Sequence, residues 1–339
     1  MRRVTIRDVA ALADTSISTV SAALNGRPGV SQETRERVID AANRLSWRPD
    51  QRASRLRRNR TAVIGVVYEA DQPFQASLVD SVYATAKDQG VEVVLAAATD
   101  HHSELECLRV LVRERCDGLL LAGSALSPSH IELVARQAPL VSLCRKINER
   151  GVDEVYADVK QTMGLAIDHL FALGHTQIWH LGASGRSMGA PREQAYVHQM
   201  VAAGLDPVVI EAGATNLDGV HAADILLDGA ELPTAFICYN DAMAAGLVRR
   251  LRQRGVKVPD DVSVVGYDDA PIASDPTLDL TTVSQPCQEM AVAAVGILVS
   301  RMNEEQAVEV GNERRLKVPG QLVIRTTTGR PRTAQPHSS

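Results

Sequence analysis

Short apolar runs alternate with longer amphipathic stretches through most of the chain after residue 60. The runs have strand length and are rich in Val, Ile and Leu, and they predict β-strands at 63–67, 91–96, 118–121, 140–143, 178–181, 208–211, 235–238 and 262–266. The stretches between them predict helices near 75–89, 104–115, 129–136, 161–173, 189–203, 218–228 and 241–254. Short strands that alternate with helices indicate parallel sheets with helices on both faces.

The number of sheets depends on the segment after Leu143, which is long and has no helical period. This interruption favours two sheets of four or more strands each, and one sheet of eight parallel strands is the alternative. The last residues, 329–339, are rich in Pro, Ser, Thr and Arg, a composition that predicts a disordered tail.

The first 49 residues have a different pattern, which predicts three short helices near 6–13, 17–24 and 32–45. On a helical wheel of the second helix, Val20, Ala23 and Leu24 fall on a side that can pack against the other two. The outward side carries only small or apolar residues, namely Ile17, Ser18, Ser21 and Ala22. Such a face is typical of a helix that enters the major groove of DNA. A generic three-helix bundle is the alternative interpretation.

Charge is divided unevenly along the chain. Residues 1–60 contain 13 Arg, no Lys and 6 acidic residues, a net charge of +7, whereas the remainder contains 23 basic and 35 acidic residues, a net charge of −12. A basic head on an acidic body indicates that the head meets a polyanion. Leu56 stands alone among arginines, either as an exposed linker residue or as an apolar wedge for the minor groove.

Other function classes find little support in the sequence. The N-terminus lacks the apolar segment of a secretory signal, and runs such as 292–299 are shorter than the ~20 residues that span a bilayer. We therefore expect a cytoplasmic protein with no membrane partner. The Cys and His residues have no metal-ligand spacing. The loop at 182–189 is neither a dinucleotide-binding nor a Walker A motif, so we expect no metal, no cofactor and no catalytic residue.

A dense motif runs through the head: Val4–Ala13, Ser16, Thr19–Ser21, Leu24–Asn25, Val30–Ser31, Thr34–Arg35 and Val38. It resembles the helix-turn-helix head of the lactose-repressor (LacI/GalR) family of bacterial transcriptional regulators. The resemblance implies a DNA-binding head at 1–49 and a hinge helix or linker at 50–60. Many members carry Arg at the position of Ala22 and Asn at that of Asp50, so the operator sequence is left open.

The resemblance also implies roles for individual residues of the head. The positions that read bases in the major groove are Ile17, Ser18 and Ala22. Those that hold phosphates are Thr5, Ser16, Thr19, Ser21, Asn25 and Ser31. Leu56 matches the residue that is inserted at the central base step of the operator, and flanking arginines such as Arg55 contact phosphates.

The rest of the chain resembles the two-lobed, periplasmic-binding-protein-like α/β body of the same family. The matching residues are Asp158, Gly164, His169–Leu170, Gly174–His175, Arg192, Asn240–Asp241, Val258–Asp269, Leu280–Val283 and Gln285. The resemblance implies an effector-binding and dimerisation domain at 61–328. Lobe one would comprise 61–161 and 286–318, and lobe two would comprise 162–285 and 320–326, with a crossing between lobes near Gln285.

The chemistry of the strand ends supports a ligand pocket independently of the family. Asn240 and Asp268 follow predicted strands, and Arg192 begins the helix after another. Ligands of open α/β sheets bind at the carboxyl ends of strands, and these side chains offer donors and acceptors for vicinal hydroxyls. Alone, each residue fits a structural role equally well. Together they predict a site for a small polar effector such as a sugar.

The candidate pocket departs from the family in ways that bear on its ligand. Phe74 remains as a candidate stacking wall, but an aromatic residue common in the family is replaced near Ala214. Cys144 stands where several sugar-binding members have Asp, with Arg145 next to it. These changes favour an acidic or phosphorylated sugar that meets Arg145 and Arg192, or a regulator that needs no ligand. In the alternative, Arg145 forms an ion pair with the acidic loop at 149–154.

These features predict a sequence-specific DNA-binding transcriptional regulator, of the repressor type, under allosteric control by a small polar ligand. We expect a homodimer that reads a near-palindromic, double-stranded DNA operator. Whether the effector releases DNA or promotes binding is open. The alternative is an α/β sugar-binding protein or sugar enzyme with a basic appendage.

Overall fold

The computed structural model describes residues 5–24, 30–45, 63–229, 232–303 and 312–332. They belong to two compact units, a head within residues 1–61 and a body within residues 62–339, and each is described by itself. In its described part the head has three helices, namely α1 Ile6–Leu12, α2 Ile17–Leu24 and α3 Gln32–Arg44.

Local capping and a small apolar core hold the head together. The Thr5 N–H and hydroxyl both donate to Asp8 Oδ2 at the start of α1, and the hydroxyl of Ser31 accepts from a backbone N–H in the first turn of α3. Val20 and Ala23 of α2 are buried, with 0% and 3% exposure, in a core that all three helices share. The predicted inward side of α2 is confirmed for these two residues. The side chain of Leu24 lies outside the described part of the structure.

The body alternates strands and helices almost throughout. In chain order its elements are β1 Val63–Glu69, α4 Pro73–Asp88, β2 Glu92–Ala98, α5 Glu104–Arg113, β3 Gly118–Ala122, α6 Pro128–Ala135, β4 Leu140–Leu143, β5 Val152–Ala157, α7 Val159–Leu173, β6 Ile178–Gly182, α8 Gly189–Ala202, β7 Val208–Glu211, α9 Asn216–Asp228, β8 Ala235–Cys238, α10 Asp241–Gln253, β9 Ser263–Asp268, a 3₁₀ turn Pro271–Ser274, β10 Thr282–Ser284, α11 Cys287–Asn303, β11 Arg315–Val318 and β12 Gln321–Val323.

The described strands form two sheets of six strands each. The first, in lobe one, has the order β11-β5-β4-β3-β1-β2, and the second, in lobe two, has the order β12-β10-β9-β8-β6-β7. Pairing within both sheets is parallel, except that β12 runs antiparallel to β10. Central strands such as β3 and β8 are buried along their whole length because helices cover both faces. The prediction of two parallel sheets is confirmed.

The segment after Leu143 differs from the prediction, because it contains β5 between β4 and β11. The strand was not predicted because it contains two carboxylates, those of Asp153 and Glu154. Asp153 is buried in a two-bond ion pair with Arg301, at 2.9 and 2.8 Å, and Glu154 accepts from two backbone N–H groups of the preceding loop. The sequence pattern also missed β10, α11, β11 and β12.

The predicted disordered tail is in part ordered on lobe two. The Gly329 N–H donates to Ser263 Oγ at 3.0 Å, and the Gly329 carbonyl oxygen lies 2.8 Å from His175 Nε2. Arg332 approaches the Asp261 carboxylate at 3.7 Å. The prediction of disorder is therefore wrong for residues 329–332, and residues 333–339 lie outside the described part of the chain.

Candidate functional site

The outward side of α2 carries the residues predicted to read bases. Ile17 is 41% exposed, Ser18 is exposed and Ala22 is half-buried. The helix has no charged residue, so it presents a surface of small and apolar groups. Such a surface lets the helix backbone approach base edges closely, and its small and apolar groups can contact thymine methyl groups and other base edges in the major groove.

Several predicted phosphate contacts lie at helix N-termini. The Ser16 hydroxyl accepts from the Thr19 N–H and lies 2.7 Å from Ser18 Oγ. Thr5 and Ser31, both exposed, are the N-cap residues of α1 and α3. Exposed hydroxyl groups beside the positive end of a helix are suitable partners for a phosphate. Four predictions fall outside the described residues or side chains: Ser21, Asn25, Arg55 and Leu56.

Arg192 is the centre of a buried polar cluster in lobe two. It lies in the first turn of α8 and is 4% exposed. Its Nη2 donates to Asp268 Oδ1 at 2.9 Å, and its Nη1 donates to the Tyr239 carbonyl. Its guanidinium carbon lies 3.8 Å from the ring centroid of Tyr267 and 4.6 Å from that of Tyr239. Burial opposes the charge, but Asp268 and the two tyrosines raise the pKa of Arg192 and keep it protonated.

Asp268 ends β9 and accepts two hydrogen bonds on one oxygen. Besides Arg192, Gln285 Nε2 donates to Asp268 Oδ1 at 2.6 Å. Burial raises the pKa of this carboxyl, while Arg192 and Gln285 oppose the rise. The backbone φ of Asp268 is +111° and that of Asp269 is +54°. Left-handed backbone of this kind costs ~1–3 kcal/mol for a residue other than glycine and is concentrated at functional sites.

Asn240 extends the cluster to lobe one. Its Oδ1 caps α10 by accepting the Met243 N–H at 2.9 Å. Its Nδ2 donates to the Ala214 carbonyl at 2.9 Å and lies 3.5 Å from Oε1 of Gln72, which precedes α4. Polar groups of both lobes therefore meet at the carboxyl ends of the lobe-two strands, which is where ligands of open α/β sheets bind.

Arg186, in the loop after β6, makes a second connection between the lobes. Its Nη2 donates to Asp71 Oδ2 at 2.5 Å, and its Nη1 lies 3.4 Å from Glu69 Oε2. Burial raises the pKa of Glu69, an effect that Arg186 opposes. The same loop directs the Ser184 N–H to the carboxylate of Glu211. Protein carboxylates thus accept hydrogen bonds from the loop at 182–189, which matches no phosphate-binding motif.

The remaining candidates lie in lobe one. Phe74 is buried in an apolar cluster that includes Cys144. Burial, Cys287 and Asp268 raise the pKa of the Cys144 thiol, which therefore stays protonated near the Arg192 cluster. The Arg145 guanidinium donates to the Ser124 carbonyl. Because Arg145 turns to Ser124 and not to the acidic loop, the alternative of an ion pair with that loop is wrong.

His180 lies in β6 on the sheet face that α8 covers. It is fully buried, and its ring centroid is 5.3 Å from that of Tyr196. Its Nδ1 lies 2.9 Å from the Ile237 carbonyl oxygen, which can only accept, so Nδ1 carries the hydrogen. Burial lowers the pKa of this imidazole to about 4; the Ile237 carbonyl opposes the change and the charge of Arg192 adds to it.

The structure brings together four predicted residues, namely Arg192, Asn240, Asp268 and Gln285. Sequence reasoning missed Gln72, Arg186, Tyr239, Tyr267 and His180. The two tyrosines directly precede Asn240 and Asp268, so their position at strand ends was a usable signal. No local pattern marks Gln72 or Arg186, because their partners lie in the other lobe.

Comparisons with known proteins identify the family. Residues 5–50 match the model for bacterial regulatory proteins of the lacI family, and residues 167–328 match a periplasmic binding protein-like domain. The HTH-type transcriptional repressor PurR of Vibrio parahaemolyticus is 30% identical over 332 residues, which cover 95% of this chain and 98% of the relative. The chain belongs to the lacI family of bacterial regulatory proteins.

Two solved structures of the lacI type support this placement. A lac repressor dimer bound to operator and the anti-inducer ONPF matches with a TM-score of 0.79 and 26% identity, over 97% of this chain and all of that one. The transcriptional regulator CelR in complex with cellobiose matches with a TM-score of 0.69 and 28% identity, over 96% of this chain and all of that one. The predictions of LacI/GalR membership, of the fold class and of a transcriptional regulator are confirmed, and the sugar-enzyme alternative is wrong.

Two absences among the described residues bear on other classes of site. These residues contain no group of three or more His, Cys, Asp or Glu side chains that could hold a metal ion. No helix within the described ranges has the length and apolar character needed to cross a membrane.

Proposed function

We propose that this lacI-family regulator is a repressor that binds operator DNA and responds to a small polar ligand held between its lobes. It would act in the cytoplasm as a homodimer on a near-palindromic operator. The observation that carries the proposal is the buried Arg192–Asp268 pair of lobe two, together with the contact of Asn240 with Gln72 of lobe one. A ligand at this point contacts both lobes and can therefore alter how they close.

The chemistry of the cluster favours a ligand with several hydroxyl groups. Arg192 supplies charged donors, Asp268 supplies an acceptor and Asn240 supplies both. In the described structure these groups bond to one another and to the protein, so a ligand must exchange with those contacts. Hydrogen bonds to charged groups contribute ~1.5–3 kcal/mol each, enough for a few of them to provide selectivity. Cellobiose, with which CelR forms a complex, is a ligand of this chemical class.

An acidic or phosphorylated sugar remains our proposal for the ligand's class. The cluster offers one carboxylate, Asp268, and it is already bonded to Arg192 and Gln285. Arg145 lies on the lobe-one side, with its guanidinium on the Ser124 carbonyl. A ligand anion would have to draw Arg145 from that carbonyl, which replaces a hydrogen bond to a neutral acceptor by an ion pair that can be bidentate.

DNA binding is proposed to rest on residues 1–60. The uncharged outward side of α2 supports base reading by Ile17, Ser18 and Ala22. The net charge of +7 supports phosphate contacts. One short recognition helix makes few base contacts, so a dimer that presents two of them to two half-sites is proposed for adequate specificity.

The test begins with selection of bound duplexes from random DNA by the full chain. Fluorescence anisotropy then measures affinity for the selected operator against salt concentration. For about six phosphate contacts, the logarithm of the binding constant should fall with a slope of about −5 against the logarithm of salt concentration. A flat salt response, or no enriched sequence, would contradict the proposed DNA binding.

The same assay tests the ligand by titrating sugars, sugar phosphates and nucleobases against the preformed complex. We expect one chemical class to change operator affinity in the wild type but not in Arg192→Ala. Arg136→Ala, which removes an exposed arginine paired only with Glu132 in the described structure, is the matched control and should respond as the wild type does. If no compound changes affinity, the regulator is ligand-independent.

A further inference from the structure

Two buried nitrogen atoms close to the Arg192 cluster have no hydrogen-bond partner among the described residues. They are Arg192 Nε and His180 Nε2. Buried polar atoms are nearly always paired with protein or ordered water, so each unpaired atom calls for an explanation. Both atoms belong to lobe two, one on α8 and the other on β6.

The two atoms have complementary roles. Arg192 Nε carries a hydrogen and can only donate, because a guanidinium has no acceptor. His180 Nδ1 donates its hydrogen to the Ile237 carbonyl, so in the neutral ring Nε2 can only accept. The lowered pKa of His180 keeps the ring neutral at physiological pH. An unpartnered donor of Arg192 and an unpartnered acceptor of His180 are thus both buried in lobe two.

Neighbouring residues place both side chains on the same face of the sheet. Tyr196 lies one helical turn after Arg192 on α8, and its ring packs against the His180 ring. Two residues after His180, Gly182 carries no side chain. A Cβ placed on Gly182 would lie 3.8 Å from His180 Nε2, so the nitrogen is close to the next residue on the same face of β6. Nε2 therefore faces the carboxyl end of β6, toward the end of the sheet where Arg192 lies.

We infer that one hydroxyl group is bound between Arg192 Nε and His180 Nε2, where it accepts from the first atom and donates to the second. A hydroxyl fits because it can accept and donate at once. A carboxylate or a fully ionised phosphate oxygen cannot donate to His180, and an ammonium cannot accept from Arg192. Two sources share this chemistry, a buried water molecule and a hydroxyl of the effector.

A hydroxyl of the effector at this site rests on the proposed function, whereas a buried water molecule does not. If water occupies the site permanently, His180 fixes the orientation of Arg192 through it. If an effector hydroxyl displaces the water, His180 is a specificity residue that selects a hydroxyl at that position of the ligand. With either source, His180 becomes a member of the Arg192 cluster, although it is not among the residues of the family motif.

A high-resolution crystal structure of the ligand-free full chain tests the site directly. We expect one ordered solvent atom within hydrogen-bond distance of both nitrogens. Nitrogen-15 NMR of labelled histidine should show His180 with hydrogen on Nδ1 and a hydrogen-bonded, unprotonated Nε2. A direct bond between Arg192 Nε and His180 Nε2, a dry site, or a hydrogen on Nε2 would overturn the inference.

Crystals soaked with D-ribose, cellobiose or glucose 6-phosphate distinguish the two sources. Retention of the solvent atom beside a bound sugar supports a permanent water, and its replacement by a sugar hydroxyl supports an effector subsite. A sugar atom without a hydroxyl at that point would overturn the inference. Failure of all three sugars to bind would count against a sugar as the proposed effector but would leave the ligand-free solvent atom as evidence for the site.

His180→Leu removes the acceptor and gives a second test. The solvent atom should be lost, and the affinity for any sugar whose hydroxyl replaces it should fall at least tenfold, while affinity for operator DNA without ligand stays within twofold of the wild type. His221→Leu, at an exposed position, should change neither. Unchanged solvent structure in a folded His180→Leu protein would overturn the role of His180.

Discussion

The Arg192 guanidinium and the Asp268 carboxylate form an ion pair over 2.9 Å, and both side chains are almost fully buried. Removing one member of a buried pair leaves the other as an uncompensated charge in a poorly solvated site. The same pair is the centre of the candidate effector site. Changes at this pair should therefore affect the stability of the body as well as the response to ligand.

Asp268→Asn should lower the free energy of unfolding by ~3–5 kcal/mol, because it leaves Arg192 buried without a counter-charge. Urea unfolding at fixed protein concentration, followed by tryptophan fluorescence, measures the change. Asp228→Asn is the matched control, since it loses an exposed pair with Arg254 and should cost under ~1 kcal/mol. Equal losses for the two variants would contradict the importance of the buried pair.

Arg186→Ala should shift the two lobes toward an open arrangement. It removes the ion pairs with Asp71 and Glu69 between the two lobes. These pairs are partly exposed and screened, so their combined contribution is on the order of 1 kcal/mol. Small-angle X-ray scattering of the ligand-free full chain should show a larger radius of gyration at low salt.

Two comparisons make the Arg186 test specific. Arg136→Ala removes an exposed pair at the C-terminal end of α6 and should leave the scattering curve unchanged. High salt should bring the wild type toward the Arg186→Ala curve, because screening weakens the same pairs. Identical curves for wild type and Arg186→Ala at low salt would show that these ion pairs do not hold the lobes together.

The sequence predicted most of the central strands because their residues are apolar on both faces. It failed at β5, where Asp153 and Glu154 make a buried strand look like a polar loop. The buried partner of Asp153, Arg301 from α11, is 148 positions away in sequence. Short edge strands such as β12 also escaped, since a run as short as Gln321–Val323 has no readable period.

The candidate site was predictable only as far as its residues follow strands. Asn240 and Asp268 could be placed at one edge of a sheet from the strand pattern alone. The pairing of Arg192 with Asp268 joins residues 76 positions apart, and the contact of Asn240 with Gln72 joins residues 168 positions apart. Such contacts depend on how α8 and the two lobes pack, which periodicity does not encode.

Buried His180 should make the protein less stable in mild acid. Its pKa is about 4 in the folded chain because of burial, against 6.5 for an unperturbed imidazole. As pH falls below 6.5, the unfolded chain binds a proton at His180 and the folded chain does not, so stability is lost until pH reaches about 4. The full loss from this residue is ~3 kcal/mol.

Urea unfolding between pH 7.5 and 4.5 measures this dependence. His180→Leu should show a shallower fall in the free energy of unfolding than the wild type, whatever its stability at pH 7.5. The exposed His221→Leu should keep the wild-type slope. A His180→Leu slope equal to that of the wild type would mean that the imidazole is not held neutral by burial.

Leu56→Ala should weaken binding to the selected operator far more than binding to random DNA. We expect Leu56 to enter the minor groove at the operator centre, so its truncation removes a contact that only the bent, specific complex makes. With two such residues per dimer and a few kcal/mol for the wedges, specific affinity should fall by at least ~100-fold. Binding to random DNA rests on phosphate contacts and should change less than threefold.

Ile39→Ala, which truncates an apolar side chain of α3 that is 44% exposed, is the matched control for the loss of surface aliphatic groups. Parallel losses on both DNAs would show that Leu56 belongs to a charged linker.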